Sequence, residues 1–327
     1  MASPFLTRKR PDYLARAAWH DYSDRCIYLV TFNAAPGIPS FSTIEAENQT
    51  NNLYALCRLS GLGEIINSEI GNLPSYFPHI SVLRHCVMPD HVHLVIFVRL
   101  KTENTLGQIV ASLKGNCSKA AIARYPELTA SIVNNGLFRK GFNDKIVLKD
   151  GQLRNFIRYV DDNPRRYHIR KNNPQYFCRI NRILINEVEY ACYGNFLLLR
   201  NCLISAVRIS RRFSAEELKA RYMEWEEVIR SEGVLVSPFI SAAEKEIRDK
   251  AYESRAKIIL LTSNGFPDRY KPAGREFELC AEGRLLIIAP TRYTTRERDL
   301  SRAECLRLNA LAELIAAQGT ALALRNR

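Results

Sequence analysis

Two histidines spaced two residues apart are the first side chains in this sequence that suggest chemistry. His91 and His93 lie in the apolar run of residues 91–98, whose β-branched and aromatic content predicts a strand. Residues two apart on a strand point to the same face, so the two imidazoles stand side by side while Val92 faces the opposite layer. Imidazoles placed in this way can chelate a divalent metal ion. Spacing alone leaves a plain surface role as the alternative.

Two other histidine-based sites fit the sequence less well. A histidine-triad nucleotide hydrolase requires a third histidine where this chain has Val95, and a metallo-β-lactamase-type zinc site requires an Asp-His pair soon after His93. The sequence has neither feature. His85 lies on the neighbouring strand-like run, residues 80–87, but its phase relative to His91 is not fixed by the sequence. We therefore leave His85 out of the predicted ligand set.

A tyrosine and an asparagine form the second pair with suitable spacing. Tyr159 and Asn163 are four residues apart, so on a helix a phenol and an amide share one face. The helix is predicted over residues 152–161, with Asn163 and Pro164 ending it. Packing by Tyr159 and a stop signal at Asn163 are the alternative interpretation of the same pattern.

The elements around these pairs predict an α+β domain. The pattern indicates a strand at 26–32, a helix at 44–59, a hairpin of strands 80–87 and 91–98, an amphipathic helix at 106–123, a strand at 145–148, and the helix at 152–161. The order β-α-β-β-α-β-α favours a ferredoxin-like antiparallel sheet with helices on one face. We assign this domain to residues 1–180.

The pattern changes after a polar, basic connection at residues 165–182. Short apolar runs then alternate with helical patterns, which favours a parallel sheet with covering helices. We therefore predict a smaller Rossmann-like α/β domain over residues 187–327. Its predicted strands are 196–199, 203–209, 234–236, 257–261 and 284–289, and its predicted helices are 214–230, 241–254 and 301–318.

Composition is consistent with a polyanionic partner. Lys and Arg outnumber Asp and Glu by 47 to 34, which gives a net charge of +13 and makes nucleic acid the leading candidate. The nine cysteines form no CxxC pair, which argues against a zinc ribbon and favours reduced thiols. With no secretory signal and no long apolar run, we expect a cytoplasmic, nucleoid-associated protein that does not enter the membrane.

Together the two pairs resemble a known family. Residues 88–94, MPDHVHL, are similar to the His-hydrophobic-His (HUH) motif of single-tyrosine transposases, which include the REP-associated tyrosine transposases. Tyr159 followed by Asn163 and Pro164 resembles the nucleophile motif of that family. Residues 137–146 are similar to the strand that precedes the nucleophile helix. The resemblance spans about residues 15–175.

The resemblance implies a specific chemistry. His91, His93 and Asn163 would bind Mg²⁺ or Mn²⁺ and leave positions open for oxygens of the scissile phosphate. Tyr159 would attack single-stranded DNA and form a 5′-phosphotyrosine link, which a later 3′-hydroxyl reverses without any nucleotide cofactor. We expect Arg158 to help the phenol lose its proton. After Pro164 the chain is more charged than its relatives, and Tyr167 is a rival phenol.

The resemblance also implies partners. Family members dimerise and recognise hairpin or single-stranded DNA, so we expect a homodimer that binds DNA through phosphate contacts and base stacking. The predicted DNA-binding residues are Lys114, Lys119, Arg139, Lys140, Arg158, Arg165 and Arg166. Residues 233–245 weakly resemble a Rossmann segment of the DprA/LOG-like group. Because the sequence has no GxGxxG motif or P-loop, a structural or DNA-positioning role is favoured there over a bound nucleotide.

Two alternative functions stay open. A domesticated, non-catalytic DNA- or RNA-binding protein would keep the sheet and the basic surface but form no covalent link to DNA. A metal-dependent hydrolase using activated water would cleave DNA and likewise form no link. The presence of all four residues of the two pairs argues against lost activity.

Overall fold

The chain forms two compact units, residues 1–168 and 169–327. The computed structural model describes residues 16–49, 52–210, 212–295 and 299–325. Within that part of the chain, no helix is both long and apolar enough to cross a membrane.

The described residues of the first unit form six strands and three α-helices, followed by a fourth α-helix within which the division between units falls. In chain order they are β1 (Cys26–Asn33), β2 (Ser42–Gln49), β3 (Asn52–Leu59), α1 (Gly61–Tyr76), β4 (Ile80–Val87), β5 (His91–Val98), α2 (Leu106–Arg124), α3 (Thr129–Asn135), β6 (Asn143–Ile146) and α4 (Gln152–Asn172).

Four strands of this unit form one antiparallel sheet in the order β4-β5-β1-β6. Alternate residues of β1 and β5 face α1 and α2 in the larger core, where Val92 and Leu94 are buried. The other face carries Leu29 and Val95, which pack against Phe156 of α4. The prediction of helices on one face is therefore wrong for α4, because α4 has its own apolar stripe and covers the opposite face.

The helix predicted over residues 44–59 is also wrong, because β2 and β3 form an antiparallel hairpin there. Side chains of β3 alternate between a half-buried or buried face with Ala55 and Cys57 and an exposed face with Tyr54 and Leu56. This period of two is that of a strand. The helix instead begins after Ser60, whose side chain caps it by accepting from the Gly63 amide.

The predicted helix end at Asn163 and Pro164 is wrong as well, since α4 continues to Asn172. Pro164 removes one backbone donor from the helix. Side-chain contacts flank the proline: the Asp162 carboxylate accepts from Arg165 at 2.6 Å and lies 3.9 Å from Arg166. Asn163 adds a bond back to the carbonyl of Tyr159. The helix therefore passes through the proline without ending.

The second unit is built on a six-stranded sheet in the order β7-β8-β12-β11-β10-β9. In chain order, its strands and α-helices are β7 (Arg179–Ile185), β8 (Val188–Gly194), β9 (Ile204–Ala206), α5 (Ala215–Arg230), β10 (Val234–Ser237), α6 (Ala242–Glu253), β11 (Lys257–Leu261), α7 (Arg275–Ala281), β12 (Leu285–Pro290) and α8 (Arg302–Arg325).

Strands β9 to β12 are parallel, and the hairpin of β7 and β8 joins them antiparallel at β12. Helices α5, α6 and α7 cover one face and α8 covers the other, as expected for an α/β unit. The parallel strands follow one another in chain order. A doubly wound dinucleotide-binding sheet instead reverses its order partway, and ligands bind at that reversal.

Candidate functional site

The two histidines of β5 meet at their ring nitrogens. The Nε2 atoms of His91 and His93 lie 3.1 Å apart, and the ring planes stand at 84°. His93 is 4% exposed, whereas the His91 side chain retains 16% of its accessible surface. The pair therefore has one buried and one more open member, both presenting the same ring atom.

Hydrogen bonds on the far side of each ring fix this arrangement. His91 Nδ1 lies 2.7 Å from the Asp90 carboxylate, and His93 Nδ1 lies 2.8 Å from the Thr31 hydroxyl. Thr31 is the cross-strand partner of His93 on β1, so strand register sets the contact. When each Nδ1–H donates to its oxygen partner, each Nε2 is the unprotonated ring nitrogen. The two unprotonated nitrogens are then the ones that face one another.

The separation of the two nitrogens fits a shared metal ion. Adjacent ligands of an octahedral ion at about 2.1 Å stand about 3.0 Å apart, close to the observed 3.1 Å between the Nε2 atoms of His91 and His93. Among the described residues, no group of three or more His, Cys, Asp or Glu side chains is placed to hold a metal.

Helix α4 brings the tyrosine to the same place. The ring centroid of Tyr159 lies 5.2 Å from that of His93, with the planes at 72°. Its neighbour Val160 is fully buried with Leu29 and Val95, directly beyond the histidines on the same sheet face. Tyr159 itself is 40% exposed. The helix is thus anchored by Val160 while the phenol stays open to a large substrate.

Asn163 lies one helical turn beyond Tyr159 and is only 2% exposed. Its Nδ2 donates to the Tyr159 carbonyl at 2.6 Å, which turns the amide oxygen Oδ1 away from that carbonyl. A buried amide oxygen is a suitable ligand for a hard divalent ion. The structure therefore gathers Tyr159 beside the histidine pair and holds Asn163 on the next turn of the same helix.

The residues predicted to bind DNA fall into three groups according to their contacts and exposure. Lys114 donates to the backbone carbonyls of Arg139 at 2.8 Å and Gly141 at 2.6 Å, and burial lowers its pKa to about 8. The Lys114 ammonium thus holds the loop before β6. Arg165 and Arg166 are tied to Asp162, and Arg166 is buried. The exposed members of the set are Lys119, Arg139, Lys140 and Arg158.

A cavity of about 500 Å³ adjoins the histidine end of the sheet. Asp90, the partner of His91, lines it together with Asn33, Arg139 and Tyr167. Tyr167 lies two turns of α4 beyond Tyr159. Sequence reasoning missed this cavity and missed Thr31, since both depend on strand register. Asp90 was visible as the neighbour of His91, although its contact with the ring was not.

In the second unit, a buried carboxylate of the same chain accepts hydrogen bonds at the start of α6. The buried Glu244 carboxylate accepts from the backbone amides of Ile209, Ile240 and Ser241 at 2.9–3.0 Å. One of these donors, the Ser241 amide, belongs to the N-cap of α6. The negative Glu244 side chain at the helix N-terminus disfavours a nucleotide phosphate at this position.

Comparison with known proteins gives one family match and two distant structures. Residues 77–163 match the family described as transposase IS200-like. No curated protein matches the chain. A REP-associated tyrosine transposase bound to a REP hairpin is 12% identical over 47% of this chain and 74% of that one, with a TM-score of 0.32. A candidate transposase from Deinococcus radiodurans R1 is 12% identical over 45% of this chain and 96% of that one, with a TM-score of 0.29.

TM-scores this low carry no argument for the fold or the activity. The family match is more informative, because residues 77–163 include both pairs of site residues, His91 and His93 on β5 and Tyr159 and Asn163 on α4. The segment of this chain that is similar to IS200-like transposases is the segment that builds the histidine and tyrosine site.

Proposed function

We propose that the first unit cleaves and rejoins single-stranded DNA as a transposase with Tyr159 as its nucleophile. The main observation behind this proposal is that the ring centroids of Tyr159 and His93, which are far apart in the sequence, lie 5.2 Å from each other. An exposed phenol beside an imidazole pair with one buried member is an unusual arrangement for packing alone. The match of residues 77–163 to IS200-like transposases supports the same activity.

We assign the metal to His91, His93 and Asn163, as Mg²⁺ or Mn²⁺. Two nitrogens at octahedral spacing and a buried amide oxygen form a donor set of the right chemical type for such an ion. When bound, the ion supplies Lewis-acid stabilisation of the charge that develops on the phosphate oxygens. Thr31 and Asp90 favour the imidazole tautomer in which Nδ1 carries the proton and Nε2 is unprotonated.

Tyr159 carries the covalent step. Its Oη forms a bond to the scissile phosphorus while the bond from phosphorus to the 3′ oxygen breaks, and the departing 3′ oxygen takes up a proton as the phenol loses one. The product is a 5′-phosphotyrosine and a free 3′-hydroxyl. Attack by another 3′-hydroxyl reverses the step and restores the phosphodiester. No nucleotide cofactor is consumed because the bond energy is stored in the tyrosine link.

DNA binding in this proposal uses the exposed cations rather than the whole predicted set. The side chains of Lys119, Arg139, Lys140 and Arg158 are exposed, and they suit contacts to phosphates of a single strand or hairpin. We retain a homodimer bound to the nucleoid as part of the proposal. For the second unit we propose DNA positioning rather than nucleotide binding, supported by the Glu244 carboxylate at the start of α6.

A covalent adduct is the decisive assay. The full chain is incubated with labelled single-stranded hairpin DNA and Mn²⁺, and the adduct is detected on a denaturing gel. We expect an adduct with the natural chain and none with Tyr159→Phe, while Tyr167→Phe serves as the matched control and keeps it. His91→Ala should abolish cleavage yet retain much of the binding.

The alternative functions have different signatures in the same assay. An undiminished adduct with Tyr159→Phe would refute the nucleophile assignment. Tight DNA binding with no adduct under any metal would favour the non-catalytic nucleic-acid-binding protein. Cleavage without a protein–DNA link would favour the hydrolase that uses activated water.

A further inference from the structure

Three sulfur atoms meet where the hairpin of β2 and β3 lies against the end of β4, next to the site described above, since Cys86 is the cross-strand partner of His93. Cys57 Sγ lies 3.7 Å from Cys86 Sγ and 3.6 Å from Met88 Sδ, and the Cys86 and Met88 sulfurs are 3.5 Å apart. We call these three residues the sulfur triangle. We propose that the sulfur triangle binds one Cu(I) ion.

The dimensions of the sulfur triangle suit a three-coordinate ion. A point equidistant from three sulfurs at these separations lies about 2.1 Å from each, close to the metal–sulfur distance of about 2.3 Å in protein sites. The ion would therefore enter with shifts of a few tenths of an ångström. No backbone rearrangement is needed to bring the donors together.

The chemical type of the donors selects the ion. Thiolate and thioether sulfurs are soft ligands that favour Cu(I), whereas Mg²⁺ and Mn²⁺ prefer oxygen. Zinc structural sites close with four thiolate or imidazole ligands, and a thioether is a poor substitute for these. The sulfur triangle offers one thioether and two thiols, which matches a soft monovalent cation.

The surrounding fold holds the sulfurs in place before any ion arrives. Met88 is fully buried, whereas both thiols are half-buried and leave a route for entry. The buried Ser42 donates to the Val87 carbonyl at 2.9 Å, which fixes the hairpin against the end of β4. The hydrogen bond between the thiols lowers the pKa of Cys57 and raises that of Cys86. On binding, copper stays Cu(I), and each thiol that becomes a thiolate releases its proton to solvent.

The test measures Cu(I) withdrawal from a coloured Cu(I) chelate by the full chain under anaerobic, reducing conditions. We expect the natural chain to withdraw one more equivalent than the Cys57→Ser/Cys86→Ser variant. The matched control, Cys178→Ser/Cys202→Ser, removes two exposed thiols and should keep that equivalent. Loss of the equivalent in this control but not in the first variant would overturn the proposal.

Two further measurements separate this site from others and from misfolding. The His91→Ala/His93→Ala variant should retain the equivalent, and its loss there would assign the ion to the histidine pair instead. X-ray absorption of the natural chain loaded with one Cu(I) should show three sulfur neighbours. Nitrogen or oxygen neighbours in that spectrum would contradict the sulfur triangle, whatever the folding of the variants.

Discussion

Replacing Thr31 by valine tests whether the far side of the His93 ring sets metal affinity. Valine keeps the β-branched shape of threonine and its fit to a strand, but it removes the hydroxyl 2.8 Å from His93 Nδ1. His93 is 4% exposed, so the ring N–H loses its partner in a nearly dry place, at a cost of about 1–3 kcal/mol.

The effect on metal affinity is a separate quantity. Removing the outer partner of a ligating histidine typically weakens metal binding by about 10–100-fold, which equals about 1.4–2.8 kcal/mol. We therefore expect Mn²⁺ affinity to fall by about tenfold or more in Thr31→Val. The measurement is the Mn²⁺ concentration that gives half-maximal adduct formation, together with direct Mn²⁺ titration.

Controls separate positioning from general damage. Thr31→Ser restores a hydroxyl and should recover most of the affinity, and Thr43→Val makes the same change at an exposed position of β2. At saturating Mn²⁺ the adduct rate of Thr31→Val should approach that of the natural chain, since Tyr159 is untouched. An unchanged half-saturation point would refute the reasoning that Thr31 orients a metal ligand.

Two other predictions concern stability. Because burial lowers the pKa of Lys114 to about 8, the folded chain gives up this proton before the unfolded chain does. The stability of the natural chain relative to Lys114→Met should therefore rise as pH increases from about 8 towards the ordinary lysine value, measured by urea unfolding, and a pH-independent difference would contradict it. In the second unit, Glu244→Ala leaves three backbone amides without their acceptor and should lower the free energy of unfolding by about 3 kcal/mol or more, whereas the exposed Glu246→Ala should change it little.

Local patterns predicted several elements of the second unit, although the strand predicted at 196–199 is wrong, because Phe196–Arg200 forms a short 3-10 helix. The predicted helix at 214–230 corresponds to Ala215–Arg230, and the predicted strand at 257–261 corresponds to Lys257–Leu261. Ser214 and Ser241 mark helix starts through capping boxes, which are local and therefore visible in sequence. The hairpin of β7 and β8 was missed in part because the start of β7 falls in the segment 165–182 that was interpreted as a connection.

Contacts between segments that are distant in the sequence were harder to predict. The His91/His93 and Tyr159/Asn163 pairs were visible as spacings, and the family resemblance joined them. The partners of their rings were not visible, because Thr31 reaches His93 only through the register of β1 on β5. The structural role of Lys114 depends in the same way on a loop folded over α2.

The course of α4 through Pro164 links the fold to the proposed chemistry. A helix that stopped at residue 161 would leave Asn163 in irregular backbone, and the four-residue spacing from Tyr159 would fix no common face. Because the helix continues to Asn172, the Asn163 amide is held by the Tyr159 carbonyl and remains on the next turn of the same helix. Val160 anchors that turn on the sheet face that carries the histidines. The position of the amide therefore depends on the helix persisting past a residue that usually ends one.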